Sequence, residues 1–422
     1  MKFNIWVFLR HFKYISLNIC LSLILTIIIF FLINSGIIKN IVGGPFTESF
    51  SDLNYHYIQW LECYRLELND EICKFWPMDY GMIFLKTPFN PTLKFFYINY
   101  LPYITILLFV FTITFLLNPK KKLEYFIIIL AILNPTTLVL IDRLNFDIFI
   151  FLMLIIIALN RVYIFNWLLF SYCFLVKLYP IVAGSFIFIE NKKRSFNFLV
   201  ALIFSFVVIS SYFMFIDVEK YSSISENYFL VVNMYSSGKA GYWHIFGLNT
   251  IPKVLKYFEI NYIFALLLVY TIFFFITYKL YTSFEINNLI KNQDLFTFRW
   301  RLFLLGGNIL FFCYLFYSNY SQREVFLILL IPQFLFLNVK ENKLSSLIIF
   351  FLIFRYLFLF IYGPSNIDST YHIDGKRYFN HLFLFTTSVK GLLDFVLMAL
   401  IGSIVIKINF LILKRFLLGF KY

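Results

Sequence analysis

The sequence predicts an all-α, polytopic integral membrane protein with about twelve transmembrane helices. Of its 422 residues, 61% are hydrophobic and only 14% are charged, and the mean hydropathy is +0.82. A soluble chain has about a quarter of its residues charged. The apolar segments are continuous and about 15 to 23 residues long, which is the length of a membrane-crossing helix. A transmembrane barrel would instead show alternating segments of about ten residues.

Each predicted span is an apolar segment bounded by polar or basic residues. The first span, 15–37, has no small-residue cleavage site after it, so we interpret it as a retained helix rather than a signal peptide. The segment 162–190 is too long for one span and too short for two full-length spans. It breaks at 177–180, which predicts two short helices, because proline disfavours helix in the residue before it. The remaining predicted spans are 99–118, 123–141, 146–160, 197–216, 261–281, 302–317, 325–338, 344–362 and 386–408.

Lysine and arginine collect in alternate gaps between the spans, for example at 120–122 and 192–194. Loops on the cytoplasmic side of a membrane are enriched in basic residues, so this pattern predicts that both termini lie in the cytoplasm. The protein is expected in the inner or plasma membrane of the cell. It also accounts for the net charge of +14 without a nucleic-acid partner. The whole chain, 1–422, is expected to form one transmembrane domain, with short interfacial helices in its first outer loop. The predicted extracytoplasmic loops are 38–98, 217–260 and 363–382.

The first of these loops carries two candidate acids and two cysteines. Asp52 precedes an aromatic stretch, and its carboxylate is suited to take a proton from a sugar hydroxyl; the alternative is a helix N-cap. Asp79 is either a second acid or a turn residue before Gly81. Cys63 and Cys73 are close enough in sequence for a disulfide in an extracytoplasmic loop, and both the bonded and the free state remain open.

Residues 142–147, Asp-Arg-Leu-Asn-Phe-Asp, open the span 146–160. If this stretch is helical, Arg143 and Asp147 lie four residues apart on one face and can pair. Asp147 then lies just inside the apolar zone, where a carboxylate is costly unless it is paired or functional. The alternative is an interfacial cap with a salt bridge.

Several cations are placed where they could hold a lipid phosphate. Lys177 lies at the predicted helix break, and Arg323 follows Tyr320 between two spans; arginine binds phosphate through two parallel N–H groups. The alternatives are a lysine that extends to the interface and an aromatic-belt tyrosine beside a surface charge. Arg355 and Asp394 are the clearest charges within the spans, and the sequence indicates no partner for either.

The sequence lacks the short motifs that hold nucleotides or metals. It has no Walker loop, no Gly-x-Gly-x-x-Gly, no His-x-x-x-His and no Cys-x-x-Cys. Neither ATP nor NAD is therefore implied, no residue is assigned to a metal, and no cofactor is predicted; whether the activity depends on a metal stays open.

Taken in order, these elements resemble the polytopic lipid-dependent glycosyltransferases with the GT-C fold. The chain is most similar to glycosyltransferase family 87, the polyprenol-phosphate-mannose-dependent mannosyltransferase group. That family has an Asp after the first span, an acidic–Arg–Gly–Asn–x–Asp stretch, a Lys–x–Tyr–Pro element, and a Tyr/Asn-rich turn with Arg before Ile-Pro. Leu144 stands where the family usually has glycine. The matching positions, which lie within about 15–340, are Asp52, 142–147, 177–180, 319–323 and Ile331-Pro332, with a familiar Phe246-Gly247-Leu248 in the second loop.

The resemblance implies a hexosyltransferase that moves a sugar such as mannose from a polyprenyl-phosphate donor to a glycolipid or glycan acceptor, with inversion, at the outer membrane face. It implies Asp52 as the base. Its partners would be membrane lipid, the lipid-linked donor and the acceptor. By the same resemblance, the phosphate would contact Arg143, Lys177, Tyr179, Tyr320 and Arg323, supported by Asp142, Asn145 and Asp147.

Two other classes remain open. A polysaccharide polymerase or ligase of the O-antigen type would share the lipid-linked donor but would rely on Arg-rich outer loops. A flippase or transporter of lipid-linked sugars would place polar residues near the membrane midplane, across several spans.

Overall fold

A computed structural model shows how the chain folds. It describes residues 5–38, 49–50, 53, 93–177, 179–189, 206, 210, 245–256, 258–290, 294–295, 297–316, 319–339, 342–362, 370–373, 376–379 and 381–418.

The described chain is helical almost throughout, which confirms the all-α prediction and agrees with a helical membrane protein. Five helices are long and apolar enough to cross a membrane, or six if one bent pair counts as a single span. The number of twelve spans and the orientation in the membrane stay predictions. The α-helices are α1 (Ile5–Asn34), α2 (Lys94–Asn99), α3 (Leu101–Leu117), α4 (Lys122–Leu133), α5 (Pro135–Arg143), α6 (Asp147–Leu159), α7 (Tyr163–Val176), α8 (Thr250–Lys256), α9 (Tyr262–Tyr281), α10 (Phe284–Ile290), α11 (Phe298–Phe316), α12 (Ile331–Val339), α13 (Lys343–Ile361) and α14 (His381–Leu418).

Two segments inside apolar sequence are 3₁₀-helices rather than α-helices. They are η1 (Tyr179–Ile189) and η2 (Ser321–Leu330). Runs of this length are uncommon, because the hydrogen-bond geometry of a 3₁₀-helix is poorer than that of an α-helix. The predicted span 325–338 is therefore the end of η2 followed by α12.

Four short strands form two antiparallel pairs in the described part of the chain. β1 (Ile245–Phe246) is antiparallel to β2 (Asn319–Tyr320), with Ile245 opposite Tyr320. β3 (Thr370–Ile373) and β4 (Lys376–Phe379) form an antiparallel pair within the predicted third outer loop. The first of these ladders joins two segments that are far apart in sequence.

The predicted span 123–141 is two helices rather than one. α4 ends at Leu133, α5 begins at Pro135, and the two axes differ by 49°. Proline has no N–H and clashes with the preceding helical turn, so it is favoured at a helix start. The side chain of Asn134 caps the new helix by accepting hydrogen bonds from the backbone N–H groups of Thr136 (3.0 Å) and Thr137 (3.1 Å).

The stretch 142–147 is not one continuous helix. α5 ends at Arg143, Leu144 takes a left-handed conformation with φ 46° and ψ 52°, and α6 begins at Asp147. The prediction that Arg143 and Asp147 share one helical face is therefore wrong. Glycine adopts a left-handed conformation without steric cost. Position 144 is the one at which the family that the chain resembles usually has glycine.

The core is organised around α11, which is buried along most of its length and packs against η1, η2, α6 and α14. Gly306 on α11 allows η2 to approach closely. A Cβ atom there would lie 2.8 Å from the carbonyl oxygen of Phe326 and 2.8 Å from the Cβ of Leu329. Small residues at helix contacts have this role in membrane proteins.

Candidate functional site

A cluster of polar side chains forms where α6, the α7–η1 junction and η2 meet. We call it the Asp147 cluster; its members are Asn145, Asp147, Lys177, Tyr179 and Arg323. These residues come from three of the elements that the sequence analysis singled out. The fold thus brings together side chains that are up to about 180 residues apart in the chain.

Asp147 is the centre of this cluster. Its Oδ1 atom accepts a hydrogen bond from Lys177 Nζ at 2.7 Å and another from the Tyr179 hydroxyl at 2.8 Å. Asn145 Oδ1 accepts from Lys177 Nζ at 3.1 Å and from the Asp147 backbone N–H at 3.0 Å. The side chain of Asp147 is 2% exposed and that of Lys177 is 10% exposed, so this ion pair is almost fully buried.

The local sequence explains why Lys177 faces Asp147. α7 ends at Val176, and Lys177 has an extended backbone with φ −139° and ψ 135°. Pro180 restricts the residues before it and has no N–H to continue the α-helix. Asp147 is the first residue of α6, and the positive end of that helix dipole favours a carboxylate there.

Arg323 completes the cluster from the opposite side. Its guanidinium carbon lies 4.6 Å from the centroid of the Tyr179 ring, which is a cation–π distance. Phe326 contacts the same ring, with centroids 5.8 Å apart. Arg323 is also close enough to Asp147 to attract its negative charge.

The cluster combines two cations with one carboxylate. Lys177 and Arg323 each carry a positive charge, and Asp147 carries the negative charge that both of them face. Lysine and arginine side chains form their strongest hydrogen bonds with carboxylates and phosphates. The anionic group of a ligand is therefore the chemistry that this part of the cluster is suited to bind.

The first loop reaches this region through the residues around Asp52. The backbone N–H of Phe50 donates a hydrogen bond to the carbonyl oxygen of Asp142, and the Phe50 ring packs on Tyr103 with centroids 5.7 Å apart. Leu53 is buried. Asp52 itself lies outside the described residues, but Phe50 contacts Asp142 at the end of α5, and Leu53 lines the same cavity as Phe146.

The second loop reaches the same region. β1 pairs with β2, the strand that directly precedes η2, and the backbone N–H of Leu248 donates to the Tyr314 carbonyl oxygen at 2.9 Å. The Phe246-Gly247-Leu248 segment therefore supports the backbone that leads to Arg323. Tyr320 is placed by its backbone in this ladder.

An apolar cavity of about 150 Å³ lies between α3, α6 and α7, beside the cluster. Phe146 directly precedes Asp147, and Val176 directly precedes Lys177, so the cavity wall continues into the cluster. Such a cavity is suited to an apolar chain whose polar head lies at the lysine. The lining residues are Leu53, Leu101, Phe146, Phe149, Ile150, Met153, Tyr172, Cys173 and Val176.

Next to Arg323, four buried charges form a closed ring of alternating sign, which we call the charge ring. Glu324 contacts Arg355 and lies 3.0 Å from Lys390, while Asp394 contacts Arg355 and lies 2.9 Å from Lys390. All four side chains are at most 4% exposed. The sequence indicated no partner for Arg355 or Asp394, and in the fold the two side chains pair with each other.

Sequence reasoning missed Glu324 and Lys390 as partners because the pairing is tertiary: η2 meets α13 and α14 only in the fold. One signal was available. Lys390 and Asp394 are four residues apart in an apolar helix, and a buried lysine at that spacing indicates an ion pair.

Other predicted site residues lie at the edge of the cluster or beyond the described residues. Arg143 is partly buried at the end of α5, and Asp142 is buried with its carbonyl oxygen bonded to Phe50. The remaining four, which lie outside the described part of the chain, are Asp52, Asp79, Cys63 and Cys73.

Comparison with known proteins gives no assignment: no protein-family model, curated protein or solved structure matches the chain.

Proposed function

We propose that the protein is a membrane glycosyltransferase of the GT-C type. It transfers a sugar, a hexose such as mannose, from a polyprenyl-phosphate donor to a glycolipid or glycan acceptor at the extracytoplasmic face, with inversion. The observation that carries this proposal is the Asp147 cluster, which has two cations around one carboxylate and adjoins an apolar cavity. A lipid phosphate has the matching chemistry, because it joins an anionic head to an apolar chain.

The roles of the cations follow from the charge change in the reaction. A polyprenyl phosphosugar is a phosphodiester with one negative charge, and the polyprenyl phosphate that leaves is a monoester with up to two. Lys177 and Arg323 therefore stabilise the leaving group more strongly in the transition state than in the ground state. Asp147 holds Lys177 and the Tyr179 hydroxyl in place, because both donate a hydrogen bond to the same carboxylate oxygen.

The bond changes balance without a cofactor. The acceptor hydroxyl gives its proton to a carboxylate, for which Asp52 is the candidate and Asp79 the second. The hydroxyl oxygen attacks the anomeric carbon from the face opposite the phosphate. The bond from carbon to phosphate oxygen breaks, and its electron pair leaves with the polyprenyl phosphate. The anomeric configuration is inverted, as in other displacements that use a single carboxylate base.

The cavity suits the first part of the donor's lipid chain. Its lining includes Phe146 and Val176, the residues next to Asp147 and Lys177. A chain whose phosphate contacts Lys177 and Arg323 would place its first carbon atoms against these apolar side chains.

A transporter of lipid-linked sugars is a second candidate, and the charge ring favours it. Buried ionisable residues within membrane spans commonly mark a substrate or ion pathway. The two functions differ in a simple observable. A transferase breaks the bond between sugar and phosphate, whereas a transporter moves the intact lipid-linked sugar to the other leaflet.

The test uses the purified protein in lipid nanodiscs with radiolabelled polyprenyl-phosphate mannose and a glycan extract of the source membranes. The wild type should transfer label to a product in which the mannose is no longer bonded to the polyprenyl phosphate. Arg323→Met should lower the rate by about 100-fold, the magnitude typical of removing one group that stabilises developing negative charge. Asp52→Ala should abolish transfer while the protein remains folded; if it does not, Asp79→Ala is the next variant.

The matched control is Arg299→Met. Arg299 also stacks on an aromatic ring, with its guanidinium carbon 4.3 Å from the Phe336 centroid, but it is not part of the Asp147 cluster. Its rate should stay within about twofold of the wild type, because surface substitutions away from a site have small effects. If no donor from a panel of polyprenyl-phosphate sugars is cleaved, the proposed function is wrong. Movement of intact donor across a vesicle membrane would then support the transporter.

A further inference from the structure

The charge ring ties one end of η2 to the last two helices of the chain. Glu324 lies on η2, Arg355 on α13, and Lys390 and Asp394 on α14. Each of the four charges contacts two of opposite sign, and the ring is neutral as a whole. Breaking a buried ion pair by removing one partner is strongly unfavourable, so the ring holds η2 in a fixed position against α13 and α14.

In the 3₁₀-helix η2, the adjacent side chains of Arg323 and Glu324 point in different directions. A 3₁₀-helix has three residues per turn, so successive side chains are about 120° apart and residues three apart are aligned. Arg323 and Phe326 are aligned, and both contact Tyr179. Glu324 points away from them, into the charge ring. The position of Arg323 over Tyr179 is thus linked to that of Glu324 through one peptide unit.

We propose that Glu324 is a positioning residue for Arg323, and that α13 and α14 act on the Asp147 cluster through it. The charge ring fixes the rotation and height of η2, and this keeps the Arg323 guanidinium over the Tyr179 ring and next to Asp147. The inference rests on the proposed function for what Arg323 binds. It does not depend on that function for where Arg323 lies.

Two double variants separate this role from stability alone. The test variant combines Glu324→Gln with Lys390→Met, and the control variant combines Asp394→Asn with Lys390→Met. Each removes one positive and one negative charge and leaves Arg355 with one carboxylate partner, so neither leaves a net buried charge. Only the test variant removes the charged link between η2 and Arg355. The control variant keeps the contact between Glu324 and Arg355.

The first measurement needs no ligand. In protein labelled with ¹⁵N- and ¹³C-arginine, the ring current of Tyr179 shifts the guanidinium signal of Arg323, which is assigned by its loss in Arg323→Lys. The test variant should lose this shift, as Tyr179→Leu does. The control variant should keep it. The inference is overturned if both double variants keep the shift, or if both lose it.

The second measurement is binding of a polyprenyl phosphate without sugar to the protein in nanodiscs. The test variant should bind roughly tenfold more weakly than the control variant, as expected for the loss of one charge-assisted contact. When Arg323 is already replaced by methionine, adding Glu324→Gln and Lys390→Met should weaken binding of the polyprenyl phosphate almost no further, because Glu324 acts through Arg323. If the two changes weaken binding equally in proteins with arginine and with methionine at position 323, the positioning role is wrong.

The two proposals fail in different ways. If the wild type does not bind polyprenyl phosphate but the arginine signal responds as expected, the proposed function is wrong and the positioning role stands. If binding is normal and the arginine signal of the test variant is unchanged, the positioning role is wrong and the proposed function stands.

Discussion

The guanidinium of Arg323 lies over the ring of Tyr179, 4.6 Å from its centroid, while the hydroxyl of the same tyrosine donates to Asp147. Tyr179 therefore connects the cation on η2 with the carboxylate at the start of α6. Its ring attracts the positive charge and its hydroxyl satisfies the negative one.

Asp147→Asn should destabilise the protein by about 3–5 kcal/mol, because it leaves the buried Lys177 without its charged partner. Combining it with Lys177→Met should recover most of that loss, since no uncompensated lysine remains. The measurement is the free energy of unfolding in detergent for the wild type, the two single variants and the double variant. Additive losses in the double variant would show that the two residues do not act as a pair.

Arg323→Lys should bind polyprenyl phosphate more weakly than the wild type but more tightly than Arg323→Met. Lysine retains the charge but lacks the planar group that stacks on Tyr179 and contacts phosphate through two N–H groups. The affinities of the three proteins, measured at two salt concentrations, check this order. Equal affinity for the lysine and methionine variants would mean that the positive charge at 323 contributes nothing.

The free energy of unfolding should be about 1 kcal/mol higher for the Leu144→Gly variant than for the Leu144→Ala variant. Leu144 has φ 46°, and a residue with a Cβ atom pays about 1–2 kcal/mol in this conformation. Both Leu144→Gly and Leu144→Ala should be less stable than the wild type, because the leucine side chain is fully buried. Comparing the two variants removes that common loss. An alanine variant more stable than the glycine variant would contradict the left-handed conformation.

Gly306→Ala should destabilise the protein by about 1–3 kcal/mol, the usual cost of overpacking. The added methyl group would meet the backbone of η2 at Phe326, so η2 must move and Arg323 with it. The proposed transfer activity should therefore fall together with stability, and both are measured on the same preparation. Gly184→Ala is the control, since its Cβ would lie 3.6 Å from the Phe170 ring, an ordinary contact.

Much of the Asp147 cluster could be predicted from the sequence because its members lie at helix ends, where the local signals are strong. Lys177 and Tyr179 precede or flank a proline, and Asp147 begins an apolar helix. Charge at such positions is unusual enough to be noticed without knowledge of the fold. The pairing of Asp147 with Lys177 rather than with Arg143 could not be predicted, because it depends on the left-handed Leu144.

The charge ring and the 3₁₀-helices were beyond sequence reasoning for a different reason. Glu324 and Arg355 belong to elements whose contact is decided by packing, and an apolar segment does not reveal whether it forms an α-helix or a 3₁₀-helix. The break at Asn134-Pro135 was within reach, since Asn before Pro is a strong helix-start signal. The apolar length of 123–141 outweighed it in the prediction of one span.

The neutrality of the charge ring constrains how this protein diverges. Loss of one of its four charges leaves a buried charge unbalanced, whereas loss of one positive and one negative charge together leaves a complete pair. A substitution that removes a positive charge at 355 or 390 should therefore be accompanied by one that removes a negative charge at 324 or 394. Descendants of this gene should carry all four charges or two of opposite sign, and lineages with an odd number should be rare and short-lived.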